Sequence, residues 1–227
     1  MRVLTYNIHD CVGRDSILSP QRVLKVIRQV DADAVALQEV HDDPSNQEFL
    51  SALPHTQYNS IIYGETMRKA VGPYGNLLLT RHPTDSIERH NISVDRVEPR
   101  GAITASMRTE SGVVKIVATH LGLMASERRQ QWEQILRLCE QRERGEHSSI
   151  LLGDVNEWLP VSRTLRAVRA RATACSKLKT FPMRLPLFAL DRIILFGKNA
   201  EVTFSIPDIP EARVASDHLP LVADIRF

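Results

Sequence analysis

The sequence predicts an α/β protein built in layers around mixed sheets. Strand and helix patterns alternate early in the chain, and hairpin-like strands dominate its middle. At 227 residues, 43% of them hydrophobic, the chain can bury a core without disulfide or metal staples.

Arg2–Asn7, with Val, Leu and Tyr, is expected as a first strand. Ser19-Pro20 offers an N-cap and a proline at the first helical position. Val23, Val26, Ile27 and Val30 follow as one apolar helix face. Ala34–Glu39 returns to strand character. Tyr58–Tyr63, Asn76–Thr80, Ala102–Met107 and Val113–Thr119 are further strands, with Gly72-Pro73-Tyr74-Gly75 the clearest turn between them. Ser126 is expected to cap a second helix carrying Trp132, Ile135, Leu136 and Cys139 on one face, with Gly145 beyond its end. Ser149–Gly153 has the composition of a buried strand. An arginine-rich helix is expected from about Pro160 to Arg171, and Asp191–Phe196, Glu201–Phe204 and Leu219–Phe227 complete the strands. No repeat or linker divides the chain, so residues 1–227 are expected to form one domain.

Ten Gly and twelve Pro exclude a collagen-like or low-complexity protein. No apolar run approaches the ~18 residues of a membrane span. The N-terminus carries no apolar leader, and Cys11, Cys139 and Cys175 form no C-x-x-C pair or disulfide framework, so a cytoplasmic location is expected. The net charge of +2 is unevenly spread. Between Trp158 and Leu190 lie Arg163, Arg166, Arg169, Arg171, Lys177, Lys179 and Arg184 and no acidic residue, which leaves 22 basic and 27 acidic residues elsewhere. Such a stretch is either a solvated helix face or a means of recruiting an anionic partner.

Polar residues interrupt the strands where apolar ones are expected. Asn7 ends the first strand and Glu39 the second. His120 follows Val113–Thr119, and Asp154 follows Ile150–Gly153 with Asn156 two positions on. Asp191 opens an apolar strand, and Ser216-Asp217-His218 precedes another. Each alone has an ordinary explanation: an Asx turn, a surface charge or a local backbone bond. Gathered at one sheet edge, they would build a site. Oxygen donors without cysteine suit a hard cation, Mg²⁺ or Mn²⁺, better than Zn²⁺.

The ordered set Tyr6-Asn7-Ile8, Leu37-Gln38-Glu39-Val40, Gly75–Thr80, Thr119-His120-Leu121, Gly153-Asp154-Val155-Asn156, Leu190-Asp191-Arg192-Ile193 and Ser216–Leu221 resembles the endonuclease/exonuclease/phosphatase superfamily of DNase I-like enzymes, over nearly the whole chain. Gly13-Arg14-Asp15 and the compact length resemble its small bacterial members of unassigned substrate. Where some nucleases of the family carry an acidic residue two positions after the first Asn, this chain has His9. The resemblance implies a four-layered α/β sandwich, two packed mixed sheets flanked by helices.

It also implies a divalent-metal-dependent hydrolase of phosphate esters. Glu39 would be the main ligand, with Asn7 and Asp217 nearby, directly or through water. Asp154 would be the general base, with Asn156 orienting the water or a phosphate oxygen. His218 and His120 would donate hydrogen bonds to the phosphate, and Asp191 would hold the His218 imidazole and raise its pKa. Asn76 and Arg100 are candidates for the site edge. The expected substrate is a phosphodiester, in nucleic acid or in a phospholipid head group. The alternatives are a phosphomonoesterase on sugar or inositol phosphates and a non-catalytic binding protein of the same fold. No position of the set carries an inert replacement, which speaks against the last. The Arg163–Arg184 stretch would track a nucleic-acid backbone or face anionic lipid. Aromatic residues, at 5%, are scarce for a long single-strand platform, though Trp158 lies near the site motif. A monomer is expected.

Overall fold

The computed structural model describes residues 1–143, 145–159 and 161–227, with Ser45 by its backbone alone. Along the chain come β1 (Arg2–Asn7), α1 (Pro20–Val30), β2 (Ala34–His41), α2 (Gln47–Ala52), β3 (Ser60–Lys69), β4 (Gly72–Thr80), β5 (Thr84–Asn91), β6 (Gly101–Thr109), β7 (Gly112–His120), α3 (Ala125–Glu140), β8 (Glu146–Asp154), α4 (Arg163–Arg171), β9 (Ala174–Cys175), β10 (Asp191–Gly197), β11 (Glu201–Ser205) and β12 (Leu221–Arg226). They form two six-stranded sheets, ordered β11-β12-β1-β2-β4-β3 and β5-β6-β7-β8-β10-β9. Both are mixed: β1 runs parallel to β2 and β7 parallel to β8, and the other pairings are antiparallel.

Alternation along the strands sorts side chains into layers. From β1 and β2, Val3, Ala34 and Ala36 point between the sheets, while Leu4, Tyr6, Val35 and Leu37 pack outward with the buried face of α1. In the second sheet Ile150, Leu152, Ile193 and Leu195 meet them from the other side. Leu151, Ile194 and Phe196 pack outward with Trp132, Ile135 and Cys139 of α3. The order is therefore helix, sheet, sheet, helix. Burial on both faces explains the unbroken apolar runs of these strands.

Several expected elements differ. Gly72–Gly75 is not a turn but the first part of β4, and the hairpin turns at Ala70-Val71. The glycines serve close backbone approach: a Cβ on Gly72 would lie 2.0 Å from the Asp42 carbonyl oxygen, and one on Gly75 2.1 Å from that of Gly64. Ser126 lies inside α3 rather than capping it. The N-cap is Met124, whose backbone N–H donates to Glu127 Oε2 at 3.4 Å. The arginine-rich helix begins at Arg163, with the Ser162 hydroxyl accepting from the Leu165 N–H at 3.0 Å; the expected start at Pro160 falls outside the described residues. β5 and α2 were not anticipated. Ile87 and the short Phe49–Leu50 pair give them too little periodicity to read. Among the described residues, no helix is long and apolar enough to cross a membrane.

Candidate active site

Every candidate residue lies at one edge shared by the two sheets. β1 and β2 run toward it and end there with Asn7 and the Glu39 segment. β7 and β8 do the same with His120 and Asp154. The antiparallel β10 starts there with Asp191, directly opposite Asp154.

Glu39 reaches this edge because β2 breaks its alternation. The β2–β4 register slips between Leu37 and Val40, and Glu39 adopts φ 57°, the left-handed region that side chains other than glycine rarely enter. Val40, not Glu39, therefore follows Leu37 into the outer core. Asn7 links Glu39 to the second sheet. Its Nδ2 donates to Glu39 Oε1 at 2.9 Å and to Asp154 Oδ2 at 3.2 Å, while its Oδ1 accepts the His9 N–H at 3.0 Å. That pattern fixes the amide's orientation.

Asp154 is the junction. Its Oδ1 accepts the Asn156 N–H at 2.9 Å in an Asx turn that holds Asn156 at φ 49°. Its Oδ2 lies 3.6 Å from His120 Nε2 and 3.7 Å from His218 Nε2. Burial, then the Asp191 charge, raises the Asp154 pKa against the opposing pull of His218. Burial works to lower the His218 pKa, but Asp191, 2.8 Å from its Nδ1, together with Asp154 and Asp217, holds it well above the ordinary histidine value. His120 goes the other way: burial first, then the charges of Arg100 and His218, pushes it well below. Its Nδ1 faces the guanidinium donor Arg100 Nη1 at 3.2 Å and so accepts, which leaves the proton of the neutral ring on Nε2, 3.6 Å from Asp154 Oδ2 and 3.1 Å from Asn156 Nδ2.

The edge candidates join the same network. Arg100 is buried rather than a surface charge. Asn76 Nδ2 donates to the Gly101 carbonyl at 3.2 Å. Asp217, half-buried, is reached through Ser216, whose hydroxyl donates to the Asn7 carbonyl at 2.7 Å and lies 3.4 Å from Asp217 Oδ1.

Sequence reasoning missed several partners. Thr180 donates to Asp191 Oδ2, and Phe181 packs its ring 4.7 Å from His218. Ser216 fastens the His218 segment to β1. Beside Glu39, His41 Nδ1 lies 3.4 Å from Asp10 and 3.3 Å from Asp43. Thr180 and Phe181 sit in a loop with no periodicity to mark them.

Two donor sets could be considered for a cation. Asp154, Asp191 and His218 offer ligand atoms within 4.8 Å of one another. However, His218 Nδ1 and Asp191 Oδ2 already bind each other, and a ring held protonated cannot ligate a cation. The Glu39 side has carboxylate and amide oxygens, no thiol, and a half-buried carboxylate with access to solvent. That donor chemistry fits a hard divalent ion.

The endonuclease/exonuclease/phosphatase family model matches residues 4–218. This chain belongs to that family. A relative from Escherichia coli K12, described as uncharacterized protein YbhP, is 31% identical over 100% of this chain and 96% of its own length. Among solved structures, an endonuclease/exonuclease/phosphatase from Beutenbergia cavernae is similar with a TM-score of 0.79 at 21% identity, covering 100% of this chain and 71% of that one. A mannosyl-6-phosphatase from Bacteroides thetaiotaomicron is similar with a TM-score of 0.78 at 18% identity, over 100% of both chains. The DNase I-like sandwich is thus shared. Enzymes of the endonuclease/exonuclease/phosphatase family generally hydrolyse phosphate esters with the help of divalent metals.

Proposed function

We propose that this chain is a Mg²⁺- or Mn²⁺-dependent phosphodiesterase acting as one catalytic domain over residues 1–227. The observation that carries the reading is Asp154 Oδ2. One buried carboxylate oxygen is shared by the Asn7–Glu39 arm and by the His120 and His218 rings.

Glu39 and Asp217 would hold the ion, with Asn7 orienting Glu39 through its amide rather than ligating. Bound there, the ion would neutralise phosphate oxygens and polarise the ester. Asp154 Oδ2, the oxygen that faces both imidazole rings, accepts the proton of the attacking water. His218 donates from Nε2 to a non-bridging phosphate oxygen, because Asp191 and Thr180 anchor the other side of that pair. Asn156 orients the water. His120, with both nitrogens against protein groups, acts by positioning Asn156 and Asp154, and burial, aided by the Arg100 charge, keeps it neutral. Asn76 pins the strand that carries Arg100.

The test is a panel of DNA, RNA, phospholipids, sugar phosphates and a chromogenic phosphodiester, assayed with and without Mg²⁺. Asp154→Asn protein serves as the control. Metal-dependent diester cleavage absent from the variant supports the reading. Cleavage of monoesters alone replaces it with the phosphomonoesterase, and no cleavage of any substrate replaces it with a binding protein.

A further inference from the structure

Among the described residues, six of the eleven large apolar side chains exposed on the surface lie in three connections of the second sheet, the other five being Ile17, Leu18, Ile61, Val71 and Ile87. Leu123 and Met124 lie between β7 and α3, Leu159 and Val161 between β8 and α4, and Leu185 and Leu187 between β9 and β10. Each is between 52% and 75% exposed. All three connections leave or enter the strand ends that carry His120, Asp154 and Asp191. The turns at the opposite edge of the same sheet, residues 109–112, 140–146 and 197–201, expose no large apolar side chain among the described residues. Single exposed apolar residues are ordinary on a protein surface; their concentration at one rim is not.

The three connections are fastened to one another. Buried Arg128 Nη1 donates to the Gly122 carbonyl at 3.3 Å and also to that of Leu123, and its Nη2 pairs with buried Glu157 at 3.5 Å. Trp158 packs edge-on against Phe181 at 5.7 Å and Phe188 at 5.0 Å, the two residues that close the base of the third connection. The bases of the three connections are therefore tied into one rim. The same stretch of chain is positively charged: Arg163, Arg166, Lys177, Lys179 and Arg184 are all exposed, and no acidic residue lies between Trp158 and Leu190.

The geometry points to these three loops as a docking surface for an anionic lipid bilayer, with the mouth of the site facing the head groups. Apolar tips enter the acyl boundary, and the cationic collar meets the head-group charge. Nucleic acid is the weaker fit. Leucine, valine and methionine tips make no phosphate contacts, and Trp158 spends its ring on Phe181 and Phe188 rather than presenting it for base stacking. The inference rests on the proposed site only for which way the mouth faces, and docking is read without turnover.

Full-length protein is mixed with vesicles of phosphatidylcholine alone, with vesicles of phosphatidylcholine and phosphatidylglycerol, or with duplex DNA. Bound protein is measured by flotation for vesicles and by titration for DNA. Binding to the anionic vesicles should exceed binding to the neutral ones by about tenfold or more and should weaken with salt. The Leu159→Asp/Val161→Asp and Leu185→Asp/Leu187→Asp pairs should each lower it by about tenfold or more. Arg163→Glu should lower it less, and only at low salt. Thermal midpoint and hydrolysis of a soluble chromogenic phosphodiester should stay as in the parent for all of these, which separates lost docking from lost folding. Failure to float with anionic vesicles overturns the proposal, as does flotation indifferent to both aspartate pairs or tighter retention by DNA. Lipid binding by a protein that hydrolyses nothing would leave the docking surface standing and remove the catalytic reading instead.

Discussion

The two sheets contribute differently to the edge they share. The first brings Asn7, Glu39 and Asn76: amides and a half-buried carboxylate, placed by a bulge and fixed by hydrogen bonds. The second brings His120, Asp154 and Asp191, all buried. There burial and neighbouring charge push one imidazole down and a carboxylate up, while a third group, His218, is held up by the carboxylates around it. Binding a cation requires access and oxygen donors. Moving a proton near neutrality requires groups displaced from their solution pKa values, which burial supplies. Under the proposed roles, the division between the sheets would follow that difference in need.

Substitutions should separate the halves. Asp154→Asn, which keeps shape and removes the base, should lower turnover by about 10²–10⁴-fold at every metal concentration while leaving Mg²⁺ affinity by calorimetry close to the parent's. Glu39→Gln should do the reverse. The Mg²⁺ concentration for half-maximal rate should rise by about 10–100-fold, with much of the rate restored at saturation. A rate defect that saturation cannot repair would place Glu39 on the proton-transfer side.

The pH profile tests the proton-transfer groups, Asp154 and Asp191 of the second sheet and His218 at the entry to β12 of the first. Asp154 must be ionised to accept a proton, so activity is lost as pH falls through its raised pKa, above the ~4 of a free carboxylate. His218 must be protonated to donate, so activity is lost as pH rises through its raised pKa, above the ~6.5 of a free imidazole. Both limbs should therefore be displaced upward. Asp191→Asn should bring the alkaline limb back toward neutral and cost about tenfold in rate above it; an unmoved limb would show that Asp191 does not govern His218. Smallest is Arg100→Gln. It should raise the His120 pKa, read by NMR titration, but leave it below the ordinary histidine value, because burial, the larger cause of its depression, remains.

Much of this was legible in sequence. β1 and β10 begin where expected, and β7 and β8 carry His120 and Asp154 at their ends, because continuous apolar runs bounded by polar residues define buried strands. Arg100 was less legible, since a charge at a strand start looks like any surface charge until the His120 ring is seen against it. The bulge at Glu39 left no mark, because a φ of 57° at a glutamate contradicts its local preference and is imposed by the β2–β4 pairing. Thr180, Phe181 and the Gly72–Gly75 segment were missed for a related reason. Their conformations are set by backbone elsewhere in the chain: the β10 start for Thr180, Phe188 for Phe181, and the Asp42 and Gly64 carbonyls for the glycines.

β1 lies at the centre of the first sheet, between β2 and β12, with Arg2 aligned to Asp224. The edge of β1 that faces β12 thus waits on a partner far along the chain. During synthesis that edge stays open until β12 has emerged, and ring closure over so long a separation is slow. Completion of the first sheet and escape from aggregation are thereby tied to one late event: a ribosome stalled before Leu221 would hold a chain with Glu39 already made and its central strand unzipped.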